Sequence, residues 1–153
     1  MLSMKAKYGL RALTLLAKEY GRGPILIGDL AQQEHIPKKF LELILLELKK
    51  KGILQSRKGK GGGYLLNRPP AATSIGEVIR ALDGPLALLP CVSQTAYRRC
   101  DECPDEKTCG IRSVMKEVRD STANILDGTS LADIVERSQH NESDEDQRAQ
   151  LGG

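Results

Sequence analysis

The sequence has no tryptophan, a single phenylalanine and four tyrosines among its 153 residues. Its core must therefore be aliphatic, built from Leu, Ile, Val and Ala, which favours packed helices over a sandwich of aromatic-rich strands. Histidine is scarce too. His35 lies between two candidate helices and is expected at the surface, and His140 lies in a polar tail. There is no Ser–His–Asp set, no His-rich metal motif and no carboxylate pair with a plausible cleft, so nothing points to an enzyme. No apolar run approaches 18 residues, the length a membrane span needs. The first twenty residues carry Lys5, Lys7, Arg11, Lys18 and Glu19, so no export signal forms and a cytoplasmic location is expected. In that compartment four cysteines are not expected to form a disulfide framework.

The net charge of +3 conceals a division. Residues 1–70 hold 14 Lys/Arg against 5 Asp/Glu, a balance of +9, whereas residues 71–153 hold 9 against 15, a balance of −6. A basic half joined to an acidic half suggests a nucleic-acid-binding part attached to something else.

Hydrophobic periodicity predicts a helix over 4–20, closed by Gly21, Gly23 and Pro24. A short helix is expected from Asp29 to Glu34, with Gly28 or Asp29 as its N-cap. Pro37 suits the first turn of the next helix, in which Phe40, Leu41, Ile44, Leu45 and Leu48 recur at helical spacing until Gly52. A short helix, a tight turn and a longer amphipathic helix make a helix-turn-helix. Two short strands follow, Ile53 to Arg57 and Tyr64 to Asn67, joined by Lys58-Gly59-Lys60-Gly61-Gly62-Gly63. A glycine-rich hairpin with a basic tip is a wing. The run is not a phosphate loop, because Gly59-Lys60 is followed by Gly61 rather than Ser or Thr. Ser74-x-x-Glu77 reads as a capping box opening a helix to Leu82. Residues 86–108 are irregular; a long helix is expected from Cys109 to Leu126, a short one from Ser130 to Ser138, and a disordered acidic tail beyond.

The fold class expected is mainly α: a winged helix-turn-helix with a two-stranded wing and a long C-terminal dimerisation helix. The division expected is a DNA-binding domain over 1–83, a cysteine-bearing sensor loop over 84–108, a dimerisation helix and final short helix over 109–138, and a tail over 139–153. Pro37, Lys38, Lys39, Phe40 and Glu42, at the start of the third helix, would meet base edges in a major groove. Arg57, Lys58, Gly59 and Lys60 on the wing would lie on the backbone or enter a minor groove. The stripe Ile111, Val114, Met115, Val118, Thr122 and Ile125 repeats every three or four residues, as a helix seam requires. Few apolar segments remain to cover it, so a homodimer is expected.

Cys91, Cys100, Cys103 and Cys109 fall within 19 residues as Cys-x8-Cys-x2-Cys-x5-Cys. Clustered thiols in a reducing compartment suggest an iron–sulfur cluster, with zinc, a thiol switch or no ligand role as alternatives. Arg98, Arg99 and Lys107 could offset a cluster's negative charge. A redox enzyme using Cys100-x2-Cys103 lacks the expected βαβ pattern. A zinc-stabilised winged helix that docks a protein is a further alternative, but it has no need of a basic wing tip.

Several stretches together resemble the Rrf2 family of winged-helix regulators, which includes IscR, NsrR, RirA and CymR types. They are Lys7-Tyr8-Gly9-Leu10-Arg11-Ala12, Ile36 to Leu41, Arg57 to Leu66 with its Gly-Gly-Gly-Tyr-Leu-Leu end, Ile75-Gly76-Glu77-Val78-Ile79, and the downstream cysteines. The resemblance covers about residues 1–138. It implies a homodimer on double-stranded DNA at a pseudo-palindromic operator, with no membrane partner. It also implies a [2Fe-2S] or [4Fe-4S] cluster held by Cys91, Cys103 and Cys109. Where IscR-like members place a ligand histidine three residues after the last cysteine, this chain has Arg112; where NsrR-like members offer an early aspartate, it has Tyr8 or Lys7. Cys100 is extra and is the expected fourth ligand.

Overall fold

The computed structural model describes residues 2–152, so Met1 and Gly153, the outer ends of the expected first and last segments, lie outside the described residues. The order is α1 (Met4–Lys18), α2 (Ile27–Glu34), α3 (Lys38–Lys50), β1 (Leu54–Arg57), β2 (Gly63–Leu66), α4 (Ile75–Asp83), α5 (Gly110–Asp127) and α6 (Leu131–Leu151). Helix α1 begins at an N-cap, Ser3, whose hydroxyl accepts from the Ala6 N–H. Its buried face, with Ala12, Leu13 and Leu16, packs against α3 and α4, where Leu41, Ile44, Leu45, Leu48 and Val78 complete an aliphatic core.

Helix α2 starts two residues before the expected Asp29. Its N-cap is Leu26, with no side-chain bond, and Asp29 sits inside the first turn. His35 ends α2 in the left-handed conformation, φ 54°. Pro37 stands at the N-cap of α3, one position earlier than expected. The hairpin pairs Leu54 with Leu66 and Arg57 with Gly63, antiparallel. Ile25 adds an isolated bridge to Tyr64, with both backbone bonds made at 2.9 and 2.8 Å. Gly63 lies flat against that edge, φ 138°, where a Cβ would fall 2.3 Å from the Ile25 carbonyl oxygen.

Ser74 does cap α4 by accepting from the Glu77 N–H at 3.1 Å, but the reciprocal half of the expected box is not formed. The Glu77 carboxylate instead pairs with Arg68 at 2.6 Å. The complete capping box belongs to α6, where Ser130 and Asp133 satisfy one another's backbone N–H groups.

The C-terminal region differs most from expectation. Helix α6 does not stop at Ser138 but runs to Leu151, and every described residue from 139 to 152 is exposed. No core contact holds that extension; helix-tolerant Glu, Gln, Arg and Ala carry it. Nor is the winged domain complete at residue 83. Leu131 is fully buried in the N-terminal core, and Ile134 and Val135 pack against it. Ile75 N–H donates to Thr129 O at 2.8 Å and Leu131 N–H to Thr73 O at 3.0 Å, stitching the α5–α6 turn to the start of α4.

Candidate functional site

Two regions carry chemistry: a basic face on α3 and the hairpin, and the cysteine segment with α5. In the first, α3 is fixed by its buried stripe, which leaves Lys38, Lys39, Glu42, Lys49 and Lys50 in solvent. The Lys49 ammonium donates to Ser56 Oγ on β1 at 2.6 Å, tying the end of α3 to the hairpin. Pro37, Arg57, Lys58, Gly59 and Lys60 are exposed as well. Among the described residues none of Lys38, Lys39, Arg57, Lys58 or Lys60 has an acidic partner within ion-pair distance. Exposed cations without acidic partners are what a polyanion requires.

Phe40, expected to meet bases, does not point outward. It is half-buried and meets Tyr8 edge-on, with ring centroids 5.6 Å apart. Arg11 closes the same corner, its guanidinium 5.8 Å from the Tyr8 ring centre and donating to the Glu34 carbonyl oxygen. Phe40 therefore positions the start of α3. The outward positions that sequence reasoning passed over are Leu43 and Leu46, 66% and 42% exposed. Their signal was available, since both fall outside the stripe formed by Leu41, Ile44, Leu45 and Leu48.

Residues 84–109 leave α4 and return as α5. A single 3-10 turn, Pro90–Val92, buries Cys91 and Val92. Arg119 of α5 holds this turn by donating to the Val92 carbonyl oxygen at 2.5 Å. Ser93 Oγ accepts from the Ala96 N–H at 2.9 Å, and the Arg98 N–H donates to Pro90 O at 3.1 Å. Beyond that the cysteine loop is held by local bonds: Cys103 N–H to Cys100 O, the Arg99 guanidinium to Cys103 O, and the Tyr97 hydroxyl to Glu106. The hydrogen bond to Glu106 holds the Tyr97 phenol above its ordinary range.

All four thiols are free. Cys91 and Cys100 line one recess of about 360 Å³ with Pro90, Arg98 and Glu102, whereas Cys103 and Cys109 are not in its walls. Among the described residues no three Cys, His, Asp or Glu side chains are gathered as metal ligands. Cys109 is the N-cap of α5, its Sγ accepting from the Arg112 N–H at 3.4 Å. Arg112 has its Nε buried with no hydrogen-bond partner among the described residues.

Helix α5 has no buried residue. Ile111, Val114, Val118 and Ile125 are exposed, the first and last by 68% and 66%, while Met115 and Thr122 are half-covered. The helix meets the N-terminal half at its end, where Arg80 donates to both Asp127 oxygens at 2.6 and 2.9 Å. That pairing, chiefly by hydrogen bonding, lowers the Asp127 carboxyl below its ordinary range and raises Arg80. Asp127 lies over Gly76, where a Cβ would fall 2.0 Å from Oδ1. Among the described residues no helix is long and apolar enough to cross a membrane.

Residues 2–137 match the model of a family described as Rrf2, Iron-dependent Transcriptional regulator. An Rrf2-like HTH-type transcriptional regulator of Rhodobacter capsulatus is 44% identical over 138 residues, which is 88% of this chain and 92% of that protein. The structure of CymR, the global cysteine regulator of B. subtilis, superposes with a TM-score of 0.75 at 28% identity, covering 90% of this chain and 97% of that one. T. potens IscR superposes with a TM-score of 0.72, also at 28% identity, covering 90% and 88%.

Proposed function

Because the chain belongs to the Rrf2 family of DNA-binding transcriptional regulators, and is accordingly a regulator rather than an enzyme, we propose that it acts as a cytoplasmic homodimer on a pseudo-palindromic operator, its affinity set at the cysteine loop. The observation that carries this reading is the pairing of an unneutralised basic face on α3 and the wing with an α5 that buries none of its residues. Two copies joined along Ile111, Val114, Met115, Val118, Thr122 and Ile125 would cover the stripe. Their two-fold axis would present two α3 helices to successive major-groove half-sites.

The chemistry of the donor set suits an iron–sulfur cluster, either [2Fe-2S] or [4Fe-4S], and the loop would have to draw Cys103 and Cys109 toward Cys91 and Cys100 to hold one. Four free thiols lie on one short segment, Arg112 offers a buried N–H without an acceptor, and Arg98 and Arg99 supply positive charge nearby. Cys91, Cys103 and Cys109 would hold the group, with Cys100 as fourth ligand in place of the missing histidine. When bound, such a group supplies electron-transfer and ligand-exchange chemistry at the loop. The chain's own residues do the transmitting: Arg119 ties the Cys91 turn to α5, and Arg80 and Asp127 tie α5 to α4. Coupling between sites of this kind is typically about 1–3 kcal/mol.

The test is anaerobic purification with an absorption spectrum and iron, zinc and sulfide analysis, followed by DNA titration of the loaded and stripped forms. Near-equal iron and labile sulfide with visible absorbance support the cluster. Cys100→Ala should alter the spectrum, and an unchanged spectrum removes Cys100 from the ligand set. With Lys38, Lys39, Arg57, Lys58 and Lys60 unpaired, the binding constant should fall steeply with salt, by roughly 0.9 log units per tenfold salt for each phosphate contact. A flat salt response would sink the DNA-binding face. A second reading, a cluster-free thiol switch, is favoured by the exposure of Cys100 and by the likeness to a cysteine regulator. It predicts a colourless protein whose DNA affinity responds to oxidant, and bound zinc without iron would mark a structural site instead.

A further inference from the structure

The outward face of α3 is not uniformly polar. At about 100° per residue, the buried Leu41, Ile44, Leu45 and Leu48 centre on one direction, and Lys39, Leu43, Leu46 and Lys50 all fall within about 30° of the opposite one. The centre of the face offered to solvent is thus two leucines, 66% and 42% exposed, with a lysine beside each. Glu42 and Lys49 form the shoulder toward the wing, where Lys49 bonds Ser56. Sparing water from two leucines at the middle of a helix that is otherwise charged needs an occupant that is apolar at the centre and anionic at the edges. A major groove lined by thymines has that pattern: 5-methyl groups on its floor and phosphates along both rims.

We propose that Leu43, with Leu46 one turn further along, reads thymine 5-methyl groups in the operator. This rests on the DNA-binding reading and adds the base class to it. Lys39 and Lys50 lie on the same face as the leucines and would be carried toward the rims, with Lys49 at its wing-side edge and Lys38 further round the helix. Glu42 adds an acceptor that suits the amino group of cytosine or adenine. A protein partner fits the same surface less well, because the lysines beside the two leucines complement a phosphate-rimmed groove and disfavour a basic docking face.

The experiment uses the full-length protein. A site is first selected from a random-sequence duplex library. Each thymine of the selected half-site is then replaced by deoxyuridine, which deletes the methyl and leaves pairing intact. Binding is measured for wild type, Leu43→Ala and Leu46→Ala at fixed salt. Removing the contacted methyl should weaken the wild type about fourfold per half-site, the worth of one buried methylene, and about 15-fold when both half-sites are changed. Leu43→Ala should bind more weakly on thymine DNA and show less than half of that methyl sensitivity. Both leucines are surface residues, so the variants should melt with the wild type.

A selected core with no thymine opposite α3 overturns the inference. So does wild-type binding that stays within twofold at every deoxyuridine, or a Leu43→Ala protein that keeps the full methyl effect. In each case a specific, salt-sensitive complex still stands, so the regulator reading survives. If no specific complex forms with any duplex, both readings fall.

Discussion

Gly63→Ala should damage the wing by forcing its second strand away from Ile25. The new Cβ would sit 2.3 Å from the Ile25 carbonyl oxygen and 2.5 Å from its carbon, both backbone atoms that no rotamer change can move. To make room the β2 edge must leave Ile25, breaking the two backbone bonds between Ile25 and Tyr64. Each contributes about 0.5–1.5 kcal/mol. An L-residue held at this φ of 138° adds strain of about 1–3 kcal/mol. The sum is about 2–6 kcal/mol. Part is recovered if the hairpin swings free, so about 2–4 kcal/mol is expected, or a fall in Tm of roughly 5–15 °C for a chain of this size. Gly61→Ala is the control, since its φ is also positive, 77°, but nothing lies within 4 Å of its Cβ. It should cost only about 1–2 kcal/mol. Urea unfolding by circular dichroism gives the stabilities, and DNA titration should show Gly63→Ala losing affinity because Arg57, Lys58 and Lys60 are no longer held beside α3. The reasoning is refuted if Gly63→Ala melts within 2 °C of wild type or if Gly61→Ala is the more damaging of the two.

Three further outcomes are expected. Val118→Asp would enter the proposed two-fold seam twice; at about 2–3 kcal/mol per buried carboxylate it should weaken dimerisation about a thousandfold or more, read as a halved mass by light scattering with helix content kept. Asp127 is held below its ordinary carboxyl range by Arg80, so the pair's contribution is present above the unfolded value of about 4 and fades as pH falls through the lower folded value. Asp127→Ala should therefore lose up to about 1 kcal/mol at pH 7, for a largely exposed pair, and approach wild type as pH falls through the lower folded value, with a gap that stays constant from neutral to strongly acid pH counting against the pairing. A chain ending at Ser138 should lose helical signal in proportion to residues 139–151 yet melt within 2 °C of the full chain, because that stretch is exposed throughout.

Where an element buries a regular stripe, the residues announced it. Leu41, Ile44, Leu45 and Leu48 fix α3, and the glycines of the hairpin fix the wing. The misses share a cause: they depend on partners distant in sequence. Ile25 joins the wing through one bridge to Tyr64, and a lone bridging residue has no period to detect. Leu131 looks like the first residue of a small terminal helix and is in fact core to a domain that seemed complete at residue 83. Phe40 was given to DNA because it stands at the start of α3, but Tyr8 claims it. Leu43 and Leu46 were overlooked for the opposite reason, since leucine in a helix is ordinarily assigned to the core. That Lys38, Lys39, Arg57, Lys58 and Lys60 stand in solvent was legible. The arrangement of the thiols was not, because an irregular loop gives no geometry from spacing alone.

The stitch between Thr73–Ile75 and Thr129–Leu131 changes what the intervening chain can be. Residues 84–128 leave from the end of α4 and come back beside its start, so the cysteine loop and α5 form a handle footed at both ends of one helix rather than an appendage on a tether. A handle of that build cannot swing on a linker; turning it turns the body. The spacing of two α3 helices in a pair would then be inherited directly from how two handles cross, and a shift at Cys91 or Cys109 would have no slack in which to be lost.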